Sequence, residues 1–552
     1  MLMPKLVTCL QGYTKEQFIK DFISGIIVAI IALPLAIALA IASGVSPEKG
    51  LYTAIIGGLI VSLLGGSRVQ IGGPTGAFVV IVFGIIQKYG IDGLIIATMM
   101  AGVFLVIMGL LKFGSLIKFI PSSITSGFTS GIAIVILSTQ VKDFFGLQLQ
   151  AVPAEFVLKL IAYAENFGTF KLQSFLIALL SLAIIIFWPK ISKKIPGTLV
   201  AIIIATVLTM VLKLEITTIG SQFGQLSSAL PKFQLPHLSW QLLNDLMLPA
   251  LTIAVLGSVE SLLSAVVADG MIGGSHRSNM ELVAQGIANI FSGAFGGIPV
   301  TGAIARTAAN VKNGGRTPVA GIVHSLALLV IMLIFMPYVK LIPMASLAAV
   351  LVMVSYNMGE WEAFRRLLKA PKSDSFVFLV TFTLTIFLDL VVAIGVGMVL
   401  ASFLFMRKMA EVTEVNDLIE DGENKDVNEF MENIKMPEHI SIYEIRGSFF
   451  FGAANKFVNA IKDMGKPTQI LIIKMSKVPL MDSTAFHSFE DLYDICEEHH
   501  TKLILLKIQN QPLEMLAKYG FVEKLGKNNF CNTVKDAIIR ANEILSSMEN
   551  KV

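Results

Sequence analysis

Long apolar runs recur from about Ile23 to Phe405, and that repetition limits the chain more than any single motif does. The clearest are Ile23–Ala42, Leu94–Leu111, Phe175–Phe187, Leu199–Leu212, Ala250–Val267, Val319–Met336 and Phe376–Phe405. About 20 helical residues cross the hydrocarbon core of a bilayer. Lipid offers no partner to a bare peptide group, so such runs must be helices unless neighbours bury them. The last run is too long for one crossing, and Leu388-Asp389-Leu390 interrupts it, which predicts a helical hairpin. With the shorter runs between them, the pattern predicts about fourteen membrane segments.

Composition agrees. Charged residues make up 15% of the chain against roughly a quarter in a soluble protein, and the mean hydropathy is +0.74. A net charge of +4 makes no case for nucleic acid. Cys9, Cys496 and Cys531 are scattered without a Cys/His cluster, so neither a disulfide framework nor a metal site is expected. The first apolar run is followed by many more, so it reads as a retained span and not as a cleaved signal. Basic residues gather in alternate loops: Lys112 and Lys118, then Lys190, Lys193 and Lys194, then Arg277, then Lys312 and Arg316, then Arg365, Arg366, Lys369 and Lys372, then Arg407 and Lys408. Positive loops face the cytoplasm, which puts both termini there.

After Met409 the character changes. Acidic Glu411–Asn433 reads as a linker. Beyond it, strands at Ile440–Arg446, Ile470–Met475 and Leu503–Lys507 alternate with helices at Ala453–Met464, Thr484–His499 and Pro512–Tyr519. The expected organisation is a membrane domain over residues 1–409, a linker over 410–436 and a small cytoplasmic α/β domain over 437–552.

Inside the membrane half, Gly72-Gly73-Pro74-Thr75-Gly76-Ala77-Phe78 is echoed by Gly296-Gly297-Ile298-Pro299-Val300-Thr301-Gly302-Ala303. Each break precedes an apolar run too short to span a bilayer. Paired Gly/Pro breaks in two halves are the mark of a transporter built from inverted repeats. A helix that starts near the midplane presents unpaired N–H groups and the positive end of its dipole, which together favour an anion. The expected substrate site is therefore Thr75, Gly76, Ala77 and Phe78 with Val300, Thr301, Gly302 and Ala303, the two threonines adding hydroxyl donors.

One carboxylate, Glu260, lies within the apolar span Pro249–Val267. Such a group faces a cavity, a partner or a proton. Three roles stand open: exchange of a proton during transport, binding of Na⁺ with Ser258 and Ser264 as hydroxyl partners, or a structural hydrogen bond to a neighbouring helix. Asp269 and Arg277 suit pairing at a loop or helix end. Arg306 is read as snorkelling to the inner surface or attracting anions there, and His324 as a satisfied packing residue. The glycines of 65–76 are followed by no phosphate-binding lysine, so neither an ATP-driven pump nor another enzyme is indicated.

Gly50-Leu51-Tyr52-Thr53-Ala54, Gly65-Gly66-Ser67-Arg68, Glu260-Ser261-Leu262-Leu263-Ser264 with Asp269-Gly270, Gln285-Gly286 with Asn289, and Gly302 through Thr307 together resemble the SulP (sulfate permease) anion transporters. The resemblance covers essentially the whole chain. It implies an all-α membrane domain with a seven-plus-seven inverted repeat, a core bearing the two half-helices and Glu260 that moves against a gate, and a homodimer. It makes the C-terminal part similar to a STAS domain, with a cytoplasmic protein as its partner. Met481-Asp482-Ser483-Thr484 matches the loop phosphorylated in related antagonists, which makes Ser483 a candidate regulatory site; Ala485 replaces the usual glycine, and a packed helix start is the alternative. Leu35 after Pro34, and Ser261, point to the bacterial branch and its cytoplasmic membrane. Lys142 through Gln148 and Tyr356-Asn357-Met358 look closest to the C4-dicarboxylate carriers. The resemblance thus implies secondary transport of sulfate or a C4-dicarboxylate, coupled to H⁺, with no cofactor. The alternatives are Na⁺-coupled bicarbonate transport, where relatives tend to carry Asp at the Glu260 position, and an anion channel or exchanger.

Overall fold

The computed structural model describes residues 2–549 except 116–120, 150–151, 193–194, 225, 227, 235, 237–238, 389, 413, 418–438 and 451–468. Two compact units divide within one helix, Met1–Met398 and Val399–Val552.

The first unit is helical. Its first half holds α1 (Lys15–Ala42), α2 (Pro47–Leu64, with a π-helical stretch at Thr53–Gly57), the short strand β1 (Gly72–Gly73), α3 (Val79–Leu110), α4 (Ser122–Thr139), the short α5 (Phe156–Glu165), α6 (Leu172–Ile191) and α7 (Gly197–Val211). Its second half holds α8 (Met247–Ile272), α9 (Ser278–Ala294), strand β2 (Thr301–Gly302), α10 (Ile304–Lys312), α11 (Val319–Val339), α12 (Met344–Met358), α13 (Trp361–Leu368) and α14 (Lys372–Phe387). The last helix, α15 (Leu390–Val412), carries the chain into the second unit. Gly90, at φ 70° and ψ −167°, breaks α3 into a short arm and a long one. The third segment of each half is therefore short: the first arm of α3, and α10. The apolar stretch over residues 376–405 is two helices, α14 and α15, as its length requires; Asp389 between them lies outside the described residues. Eight described helices are long and apolar enough to cross a membrane.

Packing sorts these helices into two groups. In one, α3 lies along α8 and α9, and α1 along α11. In the other, α14 lies along α4, and α6 along α7 and α12. Contact between apolar helices in lipid rests on close van der Waals approach, so small residues mark the crossings. At the tightest, a Cβ on Gly102 of α3 would stand 2.5 Å from the Gly286 carbonyl oxygen of α9, and one on Gly286 would stand 2.5 Å from the Gly102 oxygen. Only glycine at both positions lets the backbones touch.

The second unit holds a five-stranded sheet in the order β3 (Glu414–Asp417), β4 (Ile440–Arg446), β5 (Ile470–Lys477), β6 (Lys502–Leu506) and β7 (Phe530–Cys531). All neighbours are parallel except β3 against β4. Parallel strands need cover on both faces. Tyr443, Ile445, Leu471 and Ile473 pack with Phe486 and Phe489 of α16 (Ser483–Glu498). The alternate residues Ile442, Ile470, Ile472 and Ile504 pack with Ala537 and Ile538 of the final helix (Val534–Glu549). The acidic stretch expected to be linker contributes β3: Glu414 to Asp417 pair with Arg446 to Tyr443, because an edge strand tolerates charge that a central one does not. The expected helix Ala453–Met464, the rest of the expected linker over 418–436, and Lys118, Lys193 and Lys194 lie outside the described residues.

Candidate functional site

The two breaks come together. β1 pairs antiparallel with β2, Gly72 opposite Gly302 and Gly73 opposite Thr301. From this clasp the chain turns through Thr75 and a 3₁₀ turn at Gly76–Phe78 into α3, and on the other side through Ala303 into α10. Antiparallel pairing sends the two helices away in opposite senses, so both begin at one level of the fold.

The two starts are not equivalent. Thr75, half-buried, donates its hydroxyl to Glu260 Oε2 of α8 at 2.8 Å. Gly76, Ala77 and Phe78 are buried, and the amides of Gly76 and Ala77 precede the first intrahelical hydrogen bonds. In the second break the expected donors are engaged by the protein itself. The Val300 N–H donates to Asn289 Oδ1 at 3.0 Å, the Gly302 N–H to Ser261 Oγ at 3.1 Å and the Ala303 N–H to the Ile71 carbonyl at 2.9 Å. The Thr301 hydroxyl, fully buried, lies 2.5 Å from Ser261 Oγ and donates to the Gly257 carbonyl at 3.2 Å. Val300 through Gly302 thus anchor the break to α8 and α9, and Ala303 ties it to the chain before the first break. The amides left without intrahelical partners on this side belong to the first turn of α10, Ile304 to Arg306, one step beyond the stretch that the sequence singled out.

The residues expected to serve Glu260 are also reassigned. Ser258 donates to the Val255 carbonyl of its own helix at 2.7 Å, and Ser264 donates to Thr307 Oγ1 of α10 at 3.3 Å. Neither hydrogen-bonds the carboxylate. Its hydrogen-bond partner is Thr75, a residue the sequence placed in the anion set. Among the described residues no cluster of His, Cys, Asp and Glu could hold a metal ion.

Arg306 departs furthest from expectation. It neither snorkels nor faces the inner surface: it is 3% exposed and donates from Nη2 to the Pro74 carbonyl of the opposite break. Its Nη1 fills the space that a Cβ on Gly73 would need, and has no hydrogen-bond partner. One unsatisfied guanidinium donor therefore remains at the meeting point of the two helix starts. His324 of α11 is fully buried with neither ring nitrogen hydrogen-bonded, so it is packed but unsatisfied. Asp269 pairs with His276 at 2.7 Å, and Arg277 donates to the Met3 carbonyl at 2.8 Å; the two do not pair with each other. In the second unit, Asp482 caps α16 through the Ala485 N–H at 2.7 Å, leaving Ser483 exposed at the first helical position.

The motifs and the fold agree with known proteins. A family model described as the sulfate permease family matches residues 18–381, and one described as the STAS domain matches residues 433–537. The chain belongs to the sulfate permease family. "Putative sulfate transporter YvdB" of Bacillus subtilis is 42% identical over 522 residues, covering 94% of this chain and 97% of the relative. "Bicarbonate transporter BicA" of a Picosynechococcus species is 30% identical over 518 residues, covering 90% of each chain. The structure of the murine Slc26a9 anion transporter covers 98% of this chain and 94% of its own, with a TM-score of 0.87 at 20% identity, a likeness of fold. This permease is thus a multi-pass membrane protein of an anion-transporter family with a STAS domain, and not an enzyme.

Two residues that hold this region together had no role assigned from the sequence, although Asn289 stood among its motif residues. Asn289 grips Val300 on both sides, donating from Nδ2 to its carbonyl at 2.8 Å while Oδ1 accepts from its N–H. Glu281 of α9, fully buried, accepts from the Gly66 and Ser67 N–H groups at 2.8 and 3.0 Å and from Gln285 Nε2 at 2.9 Å. Glu281 sits four residues before Gln285 and eight before Asn289, so a polar stripe along one face of an apolar helix was the available signal.

Proposed function

We propose that this permease is a secondary active transporter of small oxyanions, held between the start of α3 and the start of α10, with Glu260 as the coupling group. The observation that carries the reading is the Thr75–Glu260 hydrogen bond beside two converging helix starts. Two helix N-termini and one arginine nitrogen favour negative charge, while an ionised carboxylate next to them repels it. Neutralising Glu260 removes that repulsion. The proton is the coupling ion in this reading, since among the described residues the Thr75 hydroxyl is the hydrogen-bond partner of the Glu260 carboxylate. Sulfate or a C4-dicarboxylate is the substrate. A site made largely of backbone amides discriminates weakly among oxyanions.

Transport in this reading is elevator-like. The group containing α3, α8, α9 and α10 carries the site, and it moves against the group containing α4, α12 and α14. The seam passes the site itself: a Cβ on Gly76 would stand 2.8 Å from Met358 Sδ of α12 and 3.0 Å from Ile136 Cδ1 of α4. The active form is a homodimer in the cytoplasmic membrane with both termini inside, and exposed Ser483 at the start of α16 is the point at which a cytoplasmic partner or kinase would act.

Na⁺-coupled bicarbonate transport is the second reading, favoured by the 30% identity to the bicarbonate transporter BicA over most of both chains. Uptake of labelled sulfate, bicarbonate and succinate into proteoliposomes, with imposed H⁺ or Na⁺ gradients, separates the two. Glu260→Gln is expected to abolish the gradient dependence of uptake. Undiminished, still gradient-dependent uptake by Glu260→Gln would sink the coupling role.

A further inference from the structure

In the first unit, among the described residues, one buried cation besides Arg306 remains that the reading above does not use. Lys159 of α5 is 2% exposed, and its ammonium makes no hydrogen bond or ion pair with any described residue. Its helix is inside out by the standards of water: Val157, Leu158, Leu160 and Ile161 are about half exposed, while Lys159 and Tyr163 face inward. Such a helix lays its leucines against lipid and its lysine against the protein interior.

What the lysine faces is a cavity of about 340 Å³, lined by Val79, Phe83, Thr139, Lys159, Thr252 and Thr385 among others. These residues belong to the first arm of α3, to α4, α5, α8 and α14. The cavity therefore runs along the very half-helix whose start forms the central site, beginning at Val79 directly after Phe78, and it lies on the seam between the two helix groups. The three threonine hydroxyls are turned to their own helices: Thr139 donates to the Ile136 carbonyl, Thr252 to Leu248 and Thr385 to Thr381. Lys159 is thus the buried charged donor of this space. Glu155, one turn earlier on α5, also lines it but is exposed and forms no ion pair with Lys159; Lys88 is exposed near the far end of the α3 arm, its ammonium 5.0 Å from the Tyr89 ring centroid.

A lysine desolvated without a partner is costly, and a cavity that holds one is stabilised when an anion enters. The geometry points to a second anion station at Lys159, where a small oxyanion pauses between the surface and the Thr75–Glu260 site. The inference rests on the anion-carrier reading, but concerns a site that reading leaves empty of any role. Lys159 holds the anion by charge and up to three N–H donors. The seam position means that relative movement of the two helix groups opens or closes the station together with the central site.

The test uses the full chain in proteoliposomes. Lys159→Gln should raise KM for the transported anion about tenfold, the order of enrichment that a charged cleft supplies, with the maximal rate nearly kept. Its uptake should also respond less to ionic strength, and Lys159→Arg should stay close to wild type. Independently of transport, Thr139→Cys, which lines the same cavity and keeps Lys159, in a chain with Cys9, Cys496 and Cys531 replaced by serine should react with an anionic methanethiosulfonate. Sulfate or bicarbonate in excess should slow that reaction several-fold, and Lys159→Gln in that background should remove the protection. An unchanged KM in Lys159→Gln, or labelling indifferent to soluble anions, overturns the station. Labelling that follows the fraction of anionic lipid instead also overturns it, assigning the lysine to a lipid headgroup. If Glu260→Gln transports like wild type while anions still protect Thr139→Cys in the presence of Lys159, the central-site reading fails and the station stands.

Discussion

Replacing Asn289 with leucine removes the clamp that holds the second break in place. The side chain is fully buried and makes three hydrogen bonds, to the Val300 carbonyl and N–H and to the Gln285 carbonyl. Leucine has similar volume, so the packing loss is small. The Gln285 carbonyl already lies within a helix, which leaves two newly orphaned groups, the N–H and C=O of Val300. An unsatisfied buried polar group costs about 1–3 kcal/mol, so the pair costs on the order of 2–4 kcal/mol once some relaxation is allowed. That energy is concentrated at the residue just before β2, and it loosens the clasp that sets α10 opposite α3. The expected result is a melting temperature lowered by several degrees in detergent, with uptake efficiency reduced at least about tenfold, since 1.4 kcal/mol is already that factor. Asn289→Asp should fall between, keeping an acceptor for the Val300 N–H while setting a carboxylate oxygen against two carbonyls. Thermal melts and initial uptake rates on the same preparations decide the matter. A leucine variant that melts and transports like wild type would refute the idea that side-chain hydrogen bonds hold the second break.

The asymmetry of the two breaks gives a paired expectation. Thr75→Val should depress uptake with little change in melting temperature, because its hydroxyl serves Glu260 at a half-buried site, whereas Thr301→Val should lower the melting temperature by cutting its ties to Ser261 and Gly257; equal effects on both readouts would contradict it. At the α3–α9 crossing, Gly286→Ala places a methyl 2.5 Å from the Gly102 oxygen and should cost about 1–3 kcal/mol, read as a lower melting temperature without a change in ion coupling. Glu444 of β4 supplies a pH test. Burial opposes its ionisation, but Arg446, Lys474 and Lys477 at 2.7, 3.0 and 3.4 Å outweigh this and hold its carboxyl down at about 2. A depressed folded value stabilises the fold above the ordinary glutamate range and loses that contribution as pH falls toward 2. The advantage of wild type over Glu444→Gln, about 2 kcal/mol after discounting for the exposed Lys477, should therefore be full at pH 7 and shrink below about pH 4.5. A difference that stays flat down to pH 3 would count against the network.

Much of this architecture was legible because its causes are local. A run of apolar residues in lipid has to be helical, a Gly-Pro break inside such a run has to start a new helix, and alternating apolar residues after residue 439 have to form covered strands. The helical membrane domain, the hairpin of α14 and α15, the two short third segments and the three strands at 440, 470 and 502 all follow from such rules. So does the choice of Glu260 as the carboxylate to watch, since an acid inside an apolar span is costly wherever it lies. β3 was missed because a strand with three charged or polar residues in four forms only when an edge is there to receive it.

Partnership across the fold was another matter, and the physical reason is that hydrogen bonds to a break are decided by which helices pass it. Residues 72–78 and 296–303 look alike in one dimension, and symmetry suggested two equal half-sites. Only the tertiary structure shows that Ser261 and Asn289 consume the donors of the second break, that Thr75 alone meets Glu260, and that Arg306 reaches across to Pro74. Sequence by itself determined that two helices begin in the middle of this membrane domain; the packing of α8 and α9 against them decided which of their polar groups are engaged by the protein itself.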